Sequence, residues 1–579
     1  MKKRENIFAI FVFTLIAILI SGCGSGQILE PTPTITPNPT VTPIPTNTPS
    51  PTFTPTPTLV PMDSFMQGVS FPSYFDGDYA RPNADWILEN QIQPSGANWI
   101  GVHFFCFQDF SISYEMICGT DHLTTKNDIR HIVEDAHNMG FRVLLEIAIE
   151  VRNAPPGLPP GLIGTGFNEN DWKEWFENYE IYITEYALLA EELDIDLFSI
   201  GSELNSTTHR EEEWRNIAKA VREVYSGPIL YSSDDSGKLN TSLVEENWLD
   251  IKWWDAVDYI GIHPYDTPLS TNNHSTVPEM VSYLSPVVNH LEALSKDFDR
   301  PVIITELGIH SIDGISRGMS VLWEPGFVIK PDLQEQADVF QAYFEAFQDK
   351  EWWDGVFWFN VDLTGSASNI HFSFFGKPAE NIMRSYYGAP PLPTPTVIPE
   401  FDLMAMDSHN IFLEELENGW EIWPQQHDAF KVDIDQHDIS KSGNDIKITS
   451  DPYNGAWLFF PSQVKISEYQ WLSFDIYSPS TEIWDPNKRN YSPIVINVVP
   501  MGYWMIASPF SANITHDSPF IEGGQLAAGK WQRVLIPLDA FGPILNPPFE
   551  HIVIENYSPN TITIYIDNIQ LLKDKTGSN

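Results

Sequence analysis

Eight short β-rich segments recur between residues 63 and 389, and helical patterns lie between most of them. Residues 172–190 repeat apolar and aromatic side chains with the 3.6-residue period of a helix. Residues 124–140 begin with threonine and end at Gly140, as helices with a capped start and a glycine stop do. Eight strand-then-helix units within about 320 residues predict a (β/α)8 TIM barrel. The predicted strands begin near Gly68, Trp99, Val143, Leu197, Ile229, Tyr259, Val302 and Val356.

The alternative α/β architecture is a doubly wound open sheet. Such folds usually carry a glycine-rich phosphate loop after the first strand. The sequence contains neither GxGxxG nor GxxxxGK[ST], so the barrel is the favoured fold.

Two proline- and threonine-rich stretches divide the chain. Residues 23–62 are predicted to form a stalk, and within it the 31 residues 31–61 are rich enough in proline to favour extended polyproline II, roughly 100 Å long at about 3.1 Å per residue. A shorter stretch at 390–400 separates the predicted barrel, 63–389, from a second region, 401–575. The second region lacks helical periodicity and shows short β runs separated by turn residues, which predicts an all-β sandwich of the jelly-roll type.

The amino terminus has the layout of an export signal. Three basic residues precede an apolar run, 7–20, that is short for a membrane-spanning helix. The run ends in Ile-Ser-Gly-Cys, which resembles the lipobox of bacterial lipoproteins. The resemblance implies that residues 1–22 are removed and that Cys23 carries a lipid, which would anchor an exported protein to a membrane at the cell surface. The alternative is an ordinary signal peptide with an incidental cysteine.

The two other cysteines flank one short segment. In an exported protein Cys106 and Cys118 are expected to form a disulfide, and the alternative is two free buried thiols.

Lys and Arg number 32 against 78 Asp and Glu, a net charge of −46, which excludes nucleic-acid binding through a basic patch. No cysteine or histidine cluster has zinc-ligand spacing, so we expect neither a catalytic metal nor another catalytic cofactor. We also expect a monomer.

Two glutamates stand where apolar strands meet loops. Glu203 follows the fourth predicted strand and Glu306 ends the seventh. A carboxylate in that position must be paired, solvated or functional, because burying it alone costs several kcal/mol. Two carboxylates about 5–5.5 Å apart at a barrel mouth suit glycoside hydrolysis with retention of configuration.

The sequence around these glutamates resembles the clan A glycoside hydrolases, and within them family 113, the β-mannanases. The resemblance spans about residues 66–388. Its motifs are FSIGSEL (198–204), EEEWRNIAKAVREVYSGPILY (211–231), WWDAVDYIGIHPY (253–265), ITELGIHS (304–311), QEQADVFQAYFEAF (334–347) and DGVFWFNVD (354–362). It implies a retaining hydrolase of β-linked, mannan-like polysaccharide.

The resemblance also implies residue roles. Glu203 would be the acid/base and Glu306 the nucleophile, Tyr265 would hydrogen-bond the nucleophile, and Trp358 would form the floor under the sugar. For Tyr265 and Trp358 the alternatives are an ordinary loop tyrosine and barrel packing.

Other polar residues near the strand ends are weaker candidates. His103 and Asn205 could hold sugar hydroxyls, or could merely satisfy neighbouring backbone groups, and His263 ranks below both. The third strand carries Glu146 and Glu150 where the resemblance leads us to expect a basic stretch, and Glu150 could contact substrate or pair with Arg152.

The second region resembles jelly-roll carbohydrate-binding modules in LENGW (416–420), GKWQRVLIPL (529–538) and IYIDNIQL (564–571). Trp457, Tyr503 and Trp504 are candidates for glycan contact, with core packing as the alternative. Such modules often hold a structural calcium, for which Glu417 and Asp567 could supply oxygen ligands.

Two other functions fit the same features. One is a non-catalytic glycan-binding surface lipoprotein, and the other is a transglycosylase. Only the hydrolase and the transglycosylase need both carboxylates at reacting distance from one sugar.

Overall fold

The computed structural model describes two folded regions and leaves several segments undescribed. The described residues are 65–80, 82–120, 123–153, 163–234, 248–265, 267–271, 275–324, 327, 332–361, 371–392, 406–422, 430–435, 439, 443–451, 454–464, 468–479, 494–500, 511–514, 520–523, 526–538, 549–556 and 561–574. The predicted signal, stalk and lipid site at Cys23, together with Tyr503, Trp504 and the side chain of Trp457, lie outside them.

The first region is a closed barrel of eight parallel strands, as predicted, and not an open sheet. Strand β1 pairs with both β2 and β8, which closes the circle. The strands are β1 Met66–Ser73, β2 Trp99–Gln108, β3 Arg142–Val151, β4 Leu197–Ser202, β5 Ile229–Asp234, β6 Tyr259–His263, β7 Val302–Gly308 and β8 Trp353–Phe359.

Seven α-helices accompany the barrel strands within the described residues. They are α1 Pro82–Ile87, α2 Lys126–Asn138, α3 Glu169–Glu192, α4 Glu211–Val224, α5 Val277–Phe298, α6 Leu333–Phe347 and α7 Pro378–Tyr386. Helix α2 begins with a capping box, in which Thr125 and Asp128 satisfy each other's backbone N–H groups. None of the described helices is both long and apolar enough to cross a bilayer.

The barrel interior changes character along its axis. Near the amino ends of the strands it is filled by a small apolar cluster, Met66, Trp99, Leu144, Leu197, Leu230, Ile303 and Phe357. Side chains two residues further along a strand share the same face. In β3 this places Glu146 above Leu144, and Glu146, His103 and His263 are all buried polar residues. Polar chemistry therefore concentrates at the carboxyl ends of the strands, where barrel enzymes hold their sites.

The second region consists of two antiparallel sheets around an apolar core of its own. One sheet has the order β10-β13-β18-β15-β16, and the other has the order β11-β12-β19-β14-β17 with β9 beside β19. The strands are β9 Met406–Phe412, β10 Glu421–Ile422, β11 Phe430–Asp435, β12 Asp445–Ser450, β13 Asn454–Val464, β14 Trp471–Tyr477, β15 Ile494–Pro500, β16 Ser511–Ile514, β17 Trp531–Pro537, β18 Phe549–Asn556 and β19 Ile562–Asp574. This arrangement agrees with an all-β sandwich, and its jelly-roll connectivity remains a prediction.

Cys106 and Cys118 are joined by a disulfide, with their Cα atoms 4.7 Å apart. The neighbouring residues Phe107 and Ile117 exchange two backbone hydrogen bonds of 2.9 and 2.8 Å. The segment after β2 is therefore folded back and fastened at the barrel mouth.

Candidate active site

Glu203 leaves β4 in an unusual backbone conformation. Its φ is +53°, in the left-handed region, which costs about 1–2 kcal/mol for a residue that is not glycine. The β-register shifts on both sides of β4 near Ser202, and the Glu203 N–H donates to the Ser232 carbonyl at 2.9 Å. Bulges and strained residues of this kind redirect side chains at functional sites. The Glu203 side chain remains 41% exposed.

His263, at the end of β6, contacts the Glu203 carboxylate. Its Nδ1 lies 2.8 Å from Glu203 Oε1, and its Nε2 lies 3.3 Å from Glu146 Oε1. The imidazole is fully buried. Burial lowers the pKa of His263, but the Glu306 carboxylate and the contacts with Glu146 and Glu203 outweigh it and raise that pKa well above its usual value. His263 is therefore a buried imidazolium that contacts the carboxyl groups of Glu146 and Glu203 and interacts electrostatically with Glu306.

Glu146 is the permanent partner of that imidazolium. Its carboxylate is buried and accepts a hydrogen bond of 3.0 Å from the Ser232 hydroxyl. Burial raises the pKa of Glu146, but His263, His103 and the Ser202 hydroxyl more than offset this and hold the pKa below its usual range. A buried charge is tolerated where an opposite charge and hydrogen bonds compensate it, and here His263 lies 3.3 Å from one oxygen while Ser232 donates to the other.

Glu306 is held by two donors at the end of β7. The Tyr265 hydroxyl donates to Oε1 at 2.5 Å, and His103 Nδ1 lies 3.4 Å from Oε2. Burial raises the pKa of Glu306, but His263, His103 and Tyr265 lower it to below the usual glutamate value. Burial and the nearby Glu306 raise the pKa of Tyr265, so the phenol stays protonated and acts as a donor. Glu306 is therefore kept ionised, as the role of nucleophile predicted for it requires.

These contacts predict how activity responds to pH. The pKa of Glu306 is depressed below the usual glutamate value of about 4.5, so, if Glu306 is the nucleophile as predicted, the acid limb of kcat/KM should lie below that pH. His103→Gln removes one of the groups that lower this pKa, so the acid limb should move to higher pH.

The matched control is His137→Gln, which makes the same change in a histidine that pairs with Asp196 at 3.1 Å. An acid limb that stays in place in His103→Gln, or that moves equally in both variants, would contradict the role given to His103.

Trp358 does not form the floor of the site, and the expectation drawn from the resemblance is wrong at this residue. Strand β8 alternates, so Phe357 faces the barrel interior and Trp358 faces the helices. Trp358 is completely buried and stacks on Phe340 of α6 with ring centroids 3.6 Å apart. Its role is barrel packing, the alternative considered for it.

A different set of aromatic residues lies beside the carboxylates. Phe359 shares the inward face of Phe357, and its ring centroid lies 6.4 Å from that of His103. Phe372 packs 5.4 Å from Phe359 and 5.8 Å from Tyr265. Phe359 was not predicted from the sequence, although its position two residues beyond Phe357 was a usable signal.

A further aromatic pair lies at the ends of β1 and β2. Tyr74 is 44% exposed and stacks on Phe105, with centroids 5.1 Å apart and planes 13° apart. Tyr74 is close enough to Tyr265 to contribute to its raised pKa. Flat exposed rings near the nucleophile can stack on the apolar faces of sugars.

Asn205 lies at the barrel mouth, and its side chain is hydrogen-bonded to residues at the end of β5. Its side-chain amide donates to the Asp234 carboxylate, and its Oδ1 accepts from Ser233 at 3.3 Å. It therefore joins the ends of β4 and β5 through side-chain hydrogen bonds, and its contact with a sugar hydroxyl stays a prediction.

Glu150 follows Glu146 on the inward face of β3, two pleats nearer the mouth. Burial and the neighbouring Glu203 raise the pKa of Glu150 to about 7. Arg152 lies 3.7 Å from Asp109. The carboxyl group that helps to raise the pKa of Glu150 is thus that of Glu203, the predicted acid/base.

Two groups of side chains in the described part of the chain are close enough to hold a metal ion, Asp85-His131-Asp135 and Asp313-Asp332-Glu335. Neither includes a residue predicted here to bind calcium. Glu417 accepts a hydrogen bond from Asn410 at 3.1 Å, whereas burial and Asp475 raise the pKa of Asp567 to about 6. The calcium site remains a prediction.

The eight-stranded parallel barrel and the two glutamates at the ends of β4 and β7 define the class of barrel glycoside hydrolases. The sequence model of Glycoside Hydrolase Family 113 matches residues 71–377, a little over half of the chain. The chain belongs to this family, and it is a glycoside hydrolase.

Several solved structures are similar to the chain. A GH113 β-1,4-mannanase is 24% identical, with a TM-score of 0.45 over 56% of this chain and 100% of its own. The GH113 β-mannanase AaManA from Alicyclobacillus acidocaldarius is 21% identical, with a TM-score of 0.48 over 56% and 98%. A family 11 carbohydrate-binding module from Clostridium thermocellum is 15% identical, with a TM-score of 0.21 over 30% and 99%. None of the curated proteins compared with the chain matches it.

Proposed function

We propose that the chain is a retaining glycoside hydrolase that cleaves β-linked polysaccharide, with β-mannan as the favoured substrate. One observation carries the proposal: a single buried imidazolium, His263, contacts Glu203 and electrostatically stabilises Glu306. The two carboxylates therefore come from distant parts of the chain to one barrel mouth. They also differ in setting, because the Glu306 side chain is 16% exposed and that of Glu203 is 41% exposed.

The first step forms a covalent intermediate. The ionised Glu306 attacks the anomeric carbon while Glu203 gives its proton to the glycosidic oxygen, so the bond to the leaving sugar breaks. Tyr265 donates to Oε1 of Glu306 and so fixes the orientation of the attacking carboxylate. The new ester removes the negative charge of Glu306.

The second step reverses these roles. Glu203, now a carboxylate, takes a proton from water, and the water oxygen attacks the anomeric carbon and frees Glu306. Two displacements at one carbon restore its original configuration. Water reaches Glu203 readily, because this side chain is the more exposed of the pair.

Charge narrows the substrate class. The chain as a whole carries −46, and Glu306 is held ionised at the barrel mouth. A polyuronate would be repelled by this field, whereas a neutral glycan would not. The choice of β-mannan among neutral glycans rests on membership of family 113 and on the resemblance to its β-mannanases.

A substrate panel tests the proposal. Reducing-sugar release should be highest on β-mannan, lower on β-glucan, xylan and galactan, and undetectable on polygalacturonate. Proton NMR at early times should show the β-anomer of the product. Initial formation of the α-anomer would contradict retention, and greater release from polygalacturonate than from mannan would contradict the charge argument. Transfer products in place of reducing ends would indicate a transglycosylase.

The cellular setting is also part of the proposal. Export with a lipid on Cys23 and a Pro/Thr-rich stalk would hold the hydrolase at the cell surface, where polysaccharide too large to enter the cell is available. The support for this is the sequence of residues 1–62 alone.

A further inference from the structure

Glu150 is a half-buried carboxyl group at the barrel mouth, and the proposed mechanism does not use it. It lies at the carboxyl end of β3, where its neighbours Ile149 and Val151 are buried. Its partner in the β2–β3 pair is Phe107, which is also half-buried. The inward-facing side chains of both strands therefore open onto the mouth, and Glu150 is the last of them on β3.

No hydrogen bond or ion pair to another described residue satisfies the Glu150 carboxyl group. Arg152, the structural partner considered for it, lies 3.7 Å from Asp109 and places its guanidinium 5.1 Å from the Phe107 ring. Burial and the repulsion from Glu203 are the influences on its pKa, and neither supplies a partner. A carboxyl group this far removed from water normally has a hydrogen-bond partner. A ligand bound in the mouth can supply it.

The position of Glu150 relates it to one side of the cleavage point. Ala148 of β3 pairs with Ser202 of β4, so Glu150 and Glu203 both follow this pair on neighbouring strands. Strand β7, which ends near Glu306, lies opposite β3 in the closed ring of eight strands. Glu150 therefore lies beside the predicted acid/base and across the barrel from the predicted nucleophile.

This placement points to the sugar that departs. In the proposed mechanism Glu306 takes up the glycosyl unit, and Glu203 protonates the oxygen that joins this unit to the leaving sugar. A group beside Glu203 and opposite Glu306 is therefore next to the leaving sugar. The pKa of about 7 also keeps the Glu150 carboxyl group largely protonated below that pH, so it can both donate and accept hydrogen bonds, as sugar hydroxyls do.

We propose that Glu150 binds a hydroxyl group of the leaving sugar and so favours a sugar over other leaving groups. The inference rests on the proposed function, because it needs the double displacement by Glu306 and Glu203. Glu150 is then a substrate-binding residue that takes no part in proton transfer to the glycosidic oxygen.

Two substrates that differ in the leaving group test the proposal. On a manno-oligosaccharide, Glu150→Ala should lower kcat/KM about tenfold, the effect of losing one hydrogen bond to a bound hydroxyl. An activated aryl β-glycoside of mannobiose has no leaving sugar, so the same variant should keep kcat/KM within about twofold of the wild type on it. This second rate also shows that the variant is folded.

Two further variants serve as controls. Glu150→Gln keeps one donor and one acceptor at the same place, and should remain near the wild type on both substrates. Glu180→Ala removes a carboxyl group from the exposed surface of α3 and should change neither rate.

Reactivation of a trapped intermediate isolates the site of the leaving sugar. After a 2-deoxy-2-fluoro glycoside has formed an ester with Glu306, added mannobiose should bind there and attack the anomeric carbon. Its hydroxyl proton passes to Glu203, a new glycosidic bond forms, and the ester to Glu306 breaks. The mannobiose concentration for half-maximal reactivation should rise about tenfold in Glu150→Ala, whereas reactivation by water alone should not change.

The outcomes are distinguishable. Equal losses on the oligosaccharide and the aryl glycoside would show that Glu150 acts through Glu203 or through folding, and would overturn the contact with the leaving sugar. Full activity of Glu150→Ala on the oligosaccharide would overturn that contact while leaving the proposed function intact. A wild-type chain that cleaves no β-glycan and forms no ester on Glu306 would overturn the proposed function, and this inference with it.

Discussion

Replacing Glu306 with glutamine should lower kcat/KM on β-mannan by at least about 10⁴-fold. Glutamine has the same shape and keeps an oxygen for Tyr265, so the barrel should fold as before. It carries no negative charge and cannot form the ester, so the first displacement is lost. The measurement is initial-rate kinetics with purified full-length protein.

The Glu306→Gln variant should still bind substrate. Retained binding would show that the change removed the nucleophile and left the binding site intact. Calorimetry with a manno-oligosaccharide should give an affinity near that of the wild type. Glu180→Gln, on the exposed surface of α3, is the matched control and should retain full activity. A variant Glu306→Gln that still released sugar would remove the basis for the assignment.

Trapping the intermediate gives a second measurement on the same residue. A 2-deoxy-2-fluoro glycoside with a good leaving group should add one sugar to the wild-type protein, and peptide mass spectrometry should place it on Glu306. A label on Glu203 or Glu150 instead would contradict the assignment of Glu306 as the nucleophile.

Replacing Glu203 with alanine should have an effect that depends on the leaving group. Hydrolysis of β-mannan should fall about 10²–10⁴-fold, because the glycosidic oxygen leaves poorly without a proton. An activated aryl glycoside needs no such proton, so formation of its covalent intermediate should stay near the wild-type rate, and turnover should slow because water lacks its base.

Azide tests the same variant directly. A small anionic nucleophile needs no base, so azide should restore turnover of Glu203→Ala and give the β-glycosyl azide as product. An α-azide would contradict retention, and equal losses on mannan and the aryl glycoside would contradict the acid/base role. Glu150→Ala is the informative comparison, because its carboxyl group neighbours Glu203 and should not respond to azide in this way.

Local sequence patterns were sufficient for the barrel and for its two central acids. Each strand is an apolar run whose position along the chain can be seen without knowing its neighbours, and the carboxyl ends of parallel strands must meet at one edge. Glu203 and Glu306 end two such runs, and that placement follows from strand alternation alone. The Pro/Thr-rich stretches likewise needed no structure, because proline blocks hydrogen-bonded elements wherever it is dense.

Side-chain facing was harder to predict, because it depends on where each strand begins its pleat. A shift of one residue exchanges Trp358 for Phe359 at the site, and the apolar layer around Phe357 fixes which of them faces inward. The register shift at β4 is a second feature that the sequence does not predict, because nothing local in FSIGSEL indicates that Glu203 adopts a left-handed backbone conformation.

The chain by itself determined the strands, the helices between them, the acids that end strands four and seven, and the division into a barrel and a β region. The tertiary structure alone decided that His263 lies beside Glu146 and Glu203 and interacts with Glu306, and that Trp358 packs against the helices. The reason is physical: periodicity is a property of neighbouring residues, whereas electrostatic partners and stacked rings come from strands far apart in sequence, which only the closed barrel and the paired sheet bring together.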